Sequence, residues 1–133
     1  MIVVDANLLV YLYVAGQRTR QAEAVLARDP AWAAPLLWRS EFRNTLAGLA
    51  RRKALALEDA IQIADEAERS MAGREYSVIS HEVLRLAARS GCSAYDCEYV
   101  ALAQDLGVRL VTADRQLLGV FPSIAIAPDV FAA

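Results

Sequence analysis

Four acidic residues occupy positions where a folded chain could bring their carboxylates together. Asp5 follows the run Ile-Val-Val and Asp114 follows the run Leu-Val-Thr-Ala, and both runs predict buried strands. Because ligands of open α/β sheets bind at the carboxyl ends of the strands, these two acids are expected to share one cleft. Glu41 and Asp96 lie in the first parts of predicted helices, among apolar residues where an unpaired carboxylate is costly.

Each of these acids also has a purely structural explanation. Asp5 and Asp114 could cap the helices that follow them, and Asp96 could form a capping box with Ser93. Glu41 lies well inside its helix, where it could pair with a neighbouring arginine. The four acids as a set, rather than any single one, therefore indicate a site.

The spacing of apolar residues predicts strands and helices that alternate along the chain. Strands are predicted at 2–4, 76–79 and 108–112, the segment 32–35 is ambiguous, and 120–126 could add an edge strand. Helices are predicted after Asn7 and at 18–28, 36–53, 57–71, 81–90 and 93–106, with a helical turn through 118. Ser80 is the expected N-cap of the helix at 81–90. This order predicts one domain over residues 1–133, a three-layer α/β/α sandwich around a mainly parallel central sheet.

Composition limits the classes of protein that this chain can be. Its 133 residues are 56% hydrophobic and 23% charged, with a formal net charge of −2, so a nucleic acid would have to be bound by a local patch. Cys92 and Cys97 are the two cysteines, and they form no zinc or disulfide pattern. No signal peptide or membrane span is recognisable. The expected location is the cytoplasm, with no membrane association.

Several common catalytic arrangements are missing. His81 is the single histidine, which excludes a metal-free ribonuclease with paired histidines, and the six glycines form no nucleotide-binding motif. A phosphatase of the haloacid dehalogenase type would need a second aspartate where Asn7 stands. A response-regulator receiver would need paired acids after the first strand and a lysine late in the chain, whereas the single lysine is Lys53.

Four short motifs occur in order between residue 3 and about residue 118: Val4-Asp5-Ala6-Asn7, Ser40-Glu41, Ser93-Ala94-Tyr95-Asp96 and Leu110-Val111-Thr112-Ala113-Asp114. This succession resembles the PIN domain family, and the chain length is similar to that of the VapC toxins of bacterial toxin–antitoxin pairs. The resemblance covers nearly the whole chain. It implies a PIN-like fold and a metal-dependent endoribonuclease, a hydrolase that acts on RNA phosphodiester bonds.

The resemblance also implies roles for individual residues. Asp5, Glu41, Asp96 and Asp114 would be both the catalytic and the metal-binding residues, and Asn7 and Thr112 would support them by hydrogen bonding. Some relatives carry a fifth acid soon after the fourth, but glutamine and leucine stand at positions 116 and 117 here. The implied cofactor is Mg²⁺ or Mn²⁺, and the implied partners are RNA, a small antitoxin and a second copy in a homodimer.

Phosphodiester hydrolysis fits this set of residues on chemical grounds. Oxygen ligands hold hard divalent cations, which neutralise phosphoryl oxygens and activate water. Four carboxylates without a cation would repel one another and raise their own pKa values. A catalytically silent domain of the same fold, binding nucleic acid or protein, is the alternative, but it would leave the four acids unexplained.

Arginine supplies thirteen of the fourteen basic residues and recognises phosphate through two parallel hydrogen bonds. Arg39 and Arg43 share a helix with Glu41, and Arg115 follows Asp114, so these three could guide RNA to the acids. Alternatively, they pair with acids or face solvent. Apolar helix residues that include Trp38 and Leu49 are candidates for the partner interfaces.

Overall fold

A computed structural model describes all 133 residues. Its centre is a sheet of five parallel strands: β1 (Ile2–Val4), β2 (Trp32–Pro35), β3 (Glu75–Tyr76), β4 (Leu110–Val111) and β5 (Ala125–Ile126). Eight helices connect and follow the strands: α1 (Ala6–Tyr13), α2 (Thr19–Arg28), α3 (Leu37–Arg51), α4 (Leu57–Met71), α5 (Ser80–Ser90), α6 (Ala94–Leu106), α7 (Arg115–Val120) and α8 (Pro128–Ala132). The α/β fold class predicted from the sequence is confirmed.

The strand order places the first strand in the middle of the sheet. The order is β3-β2-β1-β4-β5, and β1 pairs with β2 on one side and with β4 on the other. Val4 lies opposite Val111 in the β1–β4 ladder, so the residues that follow these strands emerge side by side. The chain winds outward in opposite directions from this point, which makes it the position where α/β sheets commonly bind ligands.

Helices cover the sheet in two groups. Helices α5 and α6 pack together, and α6 also contacts β1, β2 and β4. Helices α1 to α4 form the other group, in which α3 and α4 contact β2. Helix α6 buries residues around most of its circumference because it lies between the sheet and α5. No helix is long and apolar enough to span a membrane.

Most predicted elements occur within two residues of the expected boundaries, with four differences. The edge strand expected at 120–126 is limited to Ala125 and Ile126, because α7 extends to Val120 and a turn follows it. β3 comprises Glu75 and Tyr76 and stops short of the predicted end at 79, because it pairs with the last two residues of β2 alone. Ser80 is the first residue of α5 rather than its N-cap, and Ile79 takes the cap position without a side-chain hydrogen bond. The short helix α8 was not predicted. Pro128 begins it, a position where proline is well suited to a helix.

Candidate carboxylate site

The four predicted acids line one cavity at the carboxyl edge of the sheet. This acid cleft has a volume of about 200 Å³ and no arginine or lysine in its wall. Its lining residues are Asp5, Ala6, Asn7, Glu41, Asn44, Thr45, Asp96, Tyr99, Asp114 and Leu117. The cleft therefore collects carboxylates from residues more than one hundred positions apart, and its lining carries no positive charge to balance them.

Asp5 and Asp114 are linked through one buried threonine. Asp5 caps α1 by accepting a hydrogen bond from the Leu8 N–H at Oδ1, 3.0 Å away, while its Oδ2 accepts one from Thr112 Oγ1 at 2.5 Å. Thr112 is fully buried, and its hydroxyl oxygen also accepts from the Asp114 N–H at 3.0 Å. Asp114 caps α7 through the Leu117 N–H. The capping interpretation is thus correct for both acids, and it orients them in the cleft.

Glu41 is held by a tyrosine and not by an arginine. Tyr99 Oη donates a hydrogen bond to Glu41 Oε1 at 2.5 Å, across the boundary between α6 and α3. Tyr99 is 2% exposed. Burial together with the adjacent Glu41 carboxylate raises the pKa of the Tyr99 hydroxyl, so this group remains a neutral donor. The structure does not contain the alternative pairing of Glu41 with Arg39 or Arg43.

Asp96 lies in the first turn of α6. Ser93 is the N-cap residue, as predicted, and its hydroxyl oxygen accepts a hydrogen bond from the Asp96 N–H at 3.0 Å. The main chain of Asp96 is therefore fixed by the cap, while its carboxylate points to the cleft that it lines together with Asp5 and Asp114.

The cleft disfavours negative charge on at least two of its acids. Burial raises the pKa of Asp5 to about 6; the hydrogen bonds from Thr112 and Leu8 oppose this rise, and the charges of Asp114 and Glu41 add to it. Burial and the charge of Asp114 raise the pKa of Asp96, against a hydrogen bond with Ser93. These are the effects expected where carboxylates crowd without a cation.

The donor chemistry of the cleft fits a hard divalent cation. Its ionisable groups are carboxylates and one tyrosine hydroxyl, oxygen donors of the kind that Mg²⁺ and Mn²⁺ prefer. No three acidic, histidine or cysteine side chains form a ready-made metal-holding group in this conformation. The fit therefore rests on the type and charge of the donors, with Asp5, Glu41, Asp96 and Asp114 as the residues that would hold the ion.

The predicted supporting residues differ in what they contact. Thr112 hydrogen-bonds Asp5, as the resemblance implied, whereas Asn7 lines the cleft, is exposed and makes no side-chain hydrogen bond. Sequence reasoning missed the contribution of Tyr99 to the cleft. It also missed Asn44 and Thr45, which lie one helical turn after Glu41 on α3. Their spacing of three and four residues from Glu41 was the available signal.

The three arginines predicted to guide RNA have different surroundings. Arg39 binds Glu75 through two hydrogen bonds and Glu68 through a third. Arg39 therefore pairs with acids, as the alternative interpretation expected. Arg43 is 57% exposed and lies 4.0 Å from Glu68. Arg115 is exposed, forms no ion pair and lines a second cavity next to the acid cleft. None of the three lines the acid cleft itself.

Trp38 cannot serve in a partner interface, contrary to the expectation from sequence. Its side chain is fully buried, packs against Phe42 at a ring-centroid distance of 5.4 Å and donates a hydrogen bond from Nε1 to Glu75 Oε1. Helix α3 directs this residue into the core, where it belongs to the main cluster of buried hydrophobic side chains. Leu49 is partly exposed.

A parallel sheet with a carboxylate cleft at its central switch point defines the architecture of this α/β protein. Residues 2–120 match the family model described as PIN domain. The chain belongs to the PIN domain family, which removes the phosphatase and receiver alternatives. The chain is also 32% identical over 126 residues to Ribonuclease VapC3 of Pyrobaculum aerophilum, covering 92% of this chain and 96% of that protein.

Solved structures share the fold along almost the full length. A crystal structure of PAE2754 from Pyrobaculum aerophilum superposes with a TM-score of 0.78 at 26% identity, covering 98% of this chain and 92% of that one. A toxin–antitoxin complex from Klebsiella pneumoniae and FitAcB from Neisseria gonorrhoeae each give a TM-score of 0.72, at 18% and 17% identity, with coverage of 96% of this chain and 98% of theirs. The last two similarities establish the shared fold.

Proposed function

We propose that this protein is an endoribonuclease that depends on a divalent metal ion, and that it is the toxin of a type II toxin–antitoxin pair in the cytoplasm. The observation that carries the proposal is the lining of one cleft by Asp5, Glu41, Asp96 and Asp114 in a PIN domain. The ribonuclease named among its relatives supports RNA as the substrate. We take residues 1–133 to act as one nuclease domain.

In the proposed mechanism, the ion and the side chains have different roles. A bound Mg²⁺ or Mn²⁺ supplies charge neutralisation at the phosphoryl oxygens and an activated water. The four carboxylates would hold that ion. Thr112 fixes the orientation of Asp5 and of the Asp114 main chain, and Tyr99 fixes Glu41, so two of the ligands are oriented by residues that are themselves buried.

The experiment compares RNA cleavage by the purified protein with and without Mg²⁺ or Mn²⁺. Asp5→Asn and Asp96→Asn each keep the size of the side chain and remove its charge. Cleavage activity is therefore expected to fall in each variant by more than the roughly 10–100-fold that is typical when an outer-shell residue of a metal site is replaced. Asp65→Asn, on the exposed face of α4, is the matched control and should cleave normally. Cleavage that persists in EDTA, or in both cleft variants, would rule out the metal mechanism.

We propose further that a small antitoxin binds the protein, since one structure of this fold is a toxin–antitoxin complex. An apolar groove between α3 and α4 is suited to a helix of such a partner. It is lined by seven apolar residues and Arg43, and two of its side chains, Leu57 and Ile61, are 63% and 47% exposed. Helix α3 connects this groove with the acid cleft through Glu41, so a bound antitoxin could extend towards the carboxylates.

The test of this partner is co-expression with the product of a short neighbouring gene. Ile61→Asp is expected to abolish co-purification and Asp65→Asn to preserve it. Equal co-purification of both variants would place the antitoxin elsewhere. A homodimer is a separate proposal, and the mass of the purified protein from light scattering tests it.

A further inference from the structure

A second cavity opens beside the acid cleft and differs from it in charge. It has a volume of about 560 Å³ and lies between the segment from Gln17 to Gln21, the beginning of α7 and the beginning of α8. Consecutive residues line the two cavities, because Asp114 lines the acid cleft while its neighbours Ala113 and Arg115 line the second cavity. We call the second cavity the arginine pocket, after Arg18 and Arg115 in its wall.

Both guanidinium groups of the arginine pocket are available to a ligand. Arg115 is exposed and makes no side-chain hydrogen bond or ion pair. Arg18 lies over the ring of Tyr11, 5.2 Å from its centroid, and donates from Nη1 to Tyr11 Oη at 3.3 Å. This contact orients the guanidinium without neutralising it. Asp129 also lines the pocket, is exposed and pairs with neither arginine.

The other two arginines predicted to guide RNA have different neighbours. Arg39 is bound to Glu75 and Glu68, and Arg43 lines the apolar groove between α3 and α4, with its guanidinium 4.0 Å from Glu68. The acid cleft has no positive residue of its own. A strand of nucleic acid whose scissile phosphate lies at the carboxylates therefore finds two arginines without an acidic partner in the arginine pocket.

We propose that the arginine pocket binds the nucleotide of the RNA strand adjacent to the scissile phosphate. Arg18 and Arg115 hold its phosphate, for which the planar guanidinium is suited, and the amides of Gln17 and Gln21 contact its sugar or base. The volume of the pocket lies in the range of cavities that hold small organic ligands, so a single nucleotide fits. This inference rests on the proposed ribonuclease function, and it assigns to Arg18, Gln17 and Gln21 a role that the sequence did not suggest.

The test measures binding of a fluorescently labelled single-stranded RNA by anisotropy, in the Asp96→Asn background so that the RNA stays intact. Arg18→Gln and Arg115→Gln are each expected to weaken binding about tenfold. Each should also reduce the slope of log Kd against log salt concentration by about 0.7, the value for one phosphate contact on a single strand. Gln21→Ala should weaken binding without changing the slope.

Arg85→Gln, on the exposed face of α5, removes the same charge away from both cavities and should leave the affinity and the slope unchanged. Thermal unfolding verifies that the variants fold, as expected for two exposed side chains. If Arg18→Gln and Arg115→Gln bind like the parent, or if Arg85→Gln weakens binding equally, the arginine pocket is not the subsite. The wild-type protein separates the two proposals: RNA cleavage with unchanged variant affinities refutes the pocket alone, whereas no binding and no cleavage refutes both.

Discussion

At the scale of residues, two buried hydroxyl groups determine how the acids of the cleft are oriented. Tyr99 and Thr112 carry no charge, yet each donates a hydrogen bond to the carboxylate of a residue that lines the cleft. A carboxylate in such a pair keeps a fixed orientation, because rotating it away would leave the buried hydroxyl donor without a partner. The two hydroxyls therefore matter for ligand geometry in the way that outer-shell residues of metal sites do.

Replacing Tyr99 with phenylalanine should free Glu41 while preserving the packing of the ring. We expect a decrease in stability of about 1.5–3 kcal/mol, the range for a hydrogen bond to a charged group, and a higher concentration of Mn²⁺ for half-maximal cleavage. Urea unfolding and a metal titration measure the two effects. Tyr95→Phe is the control, because Tyr95 is 64% exposed and makes no hydrogen bond through its hydroxyl. An unchanged metal requirement in Tyr99→Phe would show that Tyr99 contributes only to the packing of the core.

Replacing Thr112 with valine removes one hydroxyl that serves two partners. The Asp5 carboxylate loses a donor and the Asp114 N–H loses an acceptor, so the expected loss is about 1–3 kcal/mol together with lower cleavage activity. Thr112→Ser keeps the hydroxyl and should retain most of the stability and most of the cleavage activity. A serine variant as impaired as the valine variant would show that the missing methyl group, and not the hydrogen bonds, is responsible.

At the scale of elements, one arginine ties together two helices and an edge strand. Arg39 of α3 donates from Nε and Nη2 to the two oxygens of Glu75 in β3, at 2.6 and 2.8 Å, and from Nη1 to Glu68 of α4 at 2.7 Å. Trp38 adds a fourth hydrogen bond, to Glu75 Oε1. Because β3 is two residues long, these side-chain bonds supplement a very short ladder of main-chain bonds.

This ion pair predicts a specific dependence of stability on pH. The hydrogen bond from Arg39 lowers the pKa of Glu75 below its ordinary value of 4.5, against the effect of burial. A carboxyl group with a lowered pKa in the folded state stabilises the fold above its unfolded pKa, and this contribution is lost as the pH falls through the folded pKa. The contribution of Glu75 is therefore complete at pH 7 and is lost below about pH 4.5.

Glu75→Gln should accordingly lower the free energy of unfolding at pH 7 by about 1 kcal/mol, a modest value because the Arg39 side chain is 34% exposed. The difference from the wild type should shrink towards pH 3, as measured by urea unfolding at both pH values. Glu23→Gln on the exposed face of α2 should show little difference at either pH. A Glu75→Gln effect of equal size at pH 7 and pH 3 would contradict the role of the charge.

At the scale of the whole molecule, the proposed metal site predicts that the folded state binds cations more tightly than the unfolded chain, because folding brings the acids together. Mg²⁺ or Mn²⁺ should therefore raise the thermal midpoint, by a free energy of about 1.4 kcal/mol at a free concentration ten times Kd. Differential scanning fluorimetry with increasing metal concentration measures this effect. Asp65→Asn should respond like the wild type and Asp5→Asn much less. An equal shift in Asp5→Asn would locate the stabilising ion outside the cleft.

The sequence predicted most of the elements in their order and the grouping of the four acids in one cleft, for different physical reasons. Buried parallel strands leave continuous apolar runs, and Asp5 and Asp114 each follow such a run directly. Contacts between distant helices leave no such pattern. The hydrogen bond from Tyr99 to Glu41 spans 58 positions, and the one from Arg39 to Glu75 spans 36. The sequence therefore could not show which residue would be the hydrogen-bond partner of Glu41 or of Arg39.

The central position of β1 has a consequence for synthesis of the protein. Its partner on one side, β4, is made more than one hundred residues later, and Asp114 follows it. A growing chain that has left the ribosome as far as α6 carries three of the four ligands, but it lacks the neighbouring strand and the threonine that orient Asp5. The proposed toxin would thus be inert during its own translation, and its harmful activity would begin only when the penultimate strand joins the sheet.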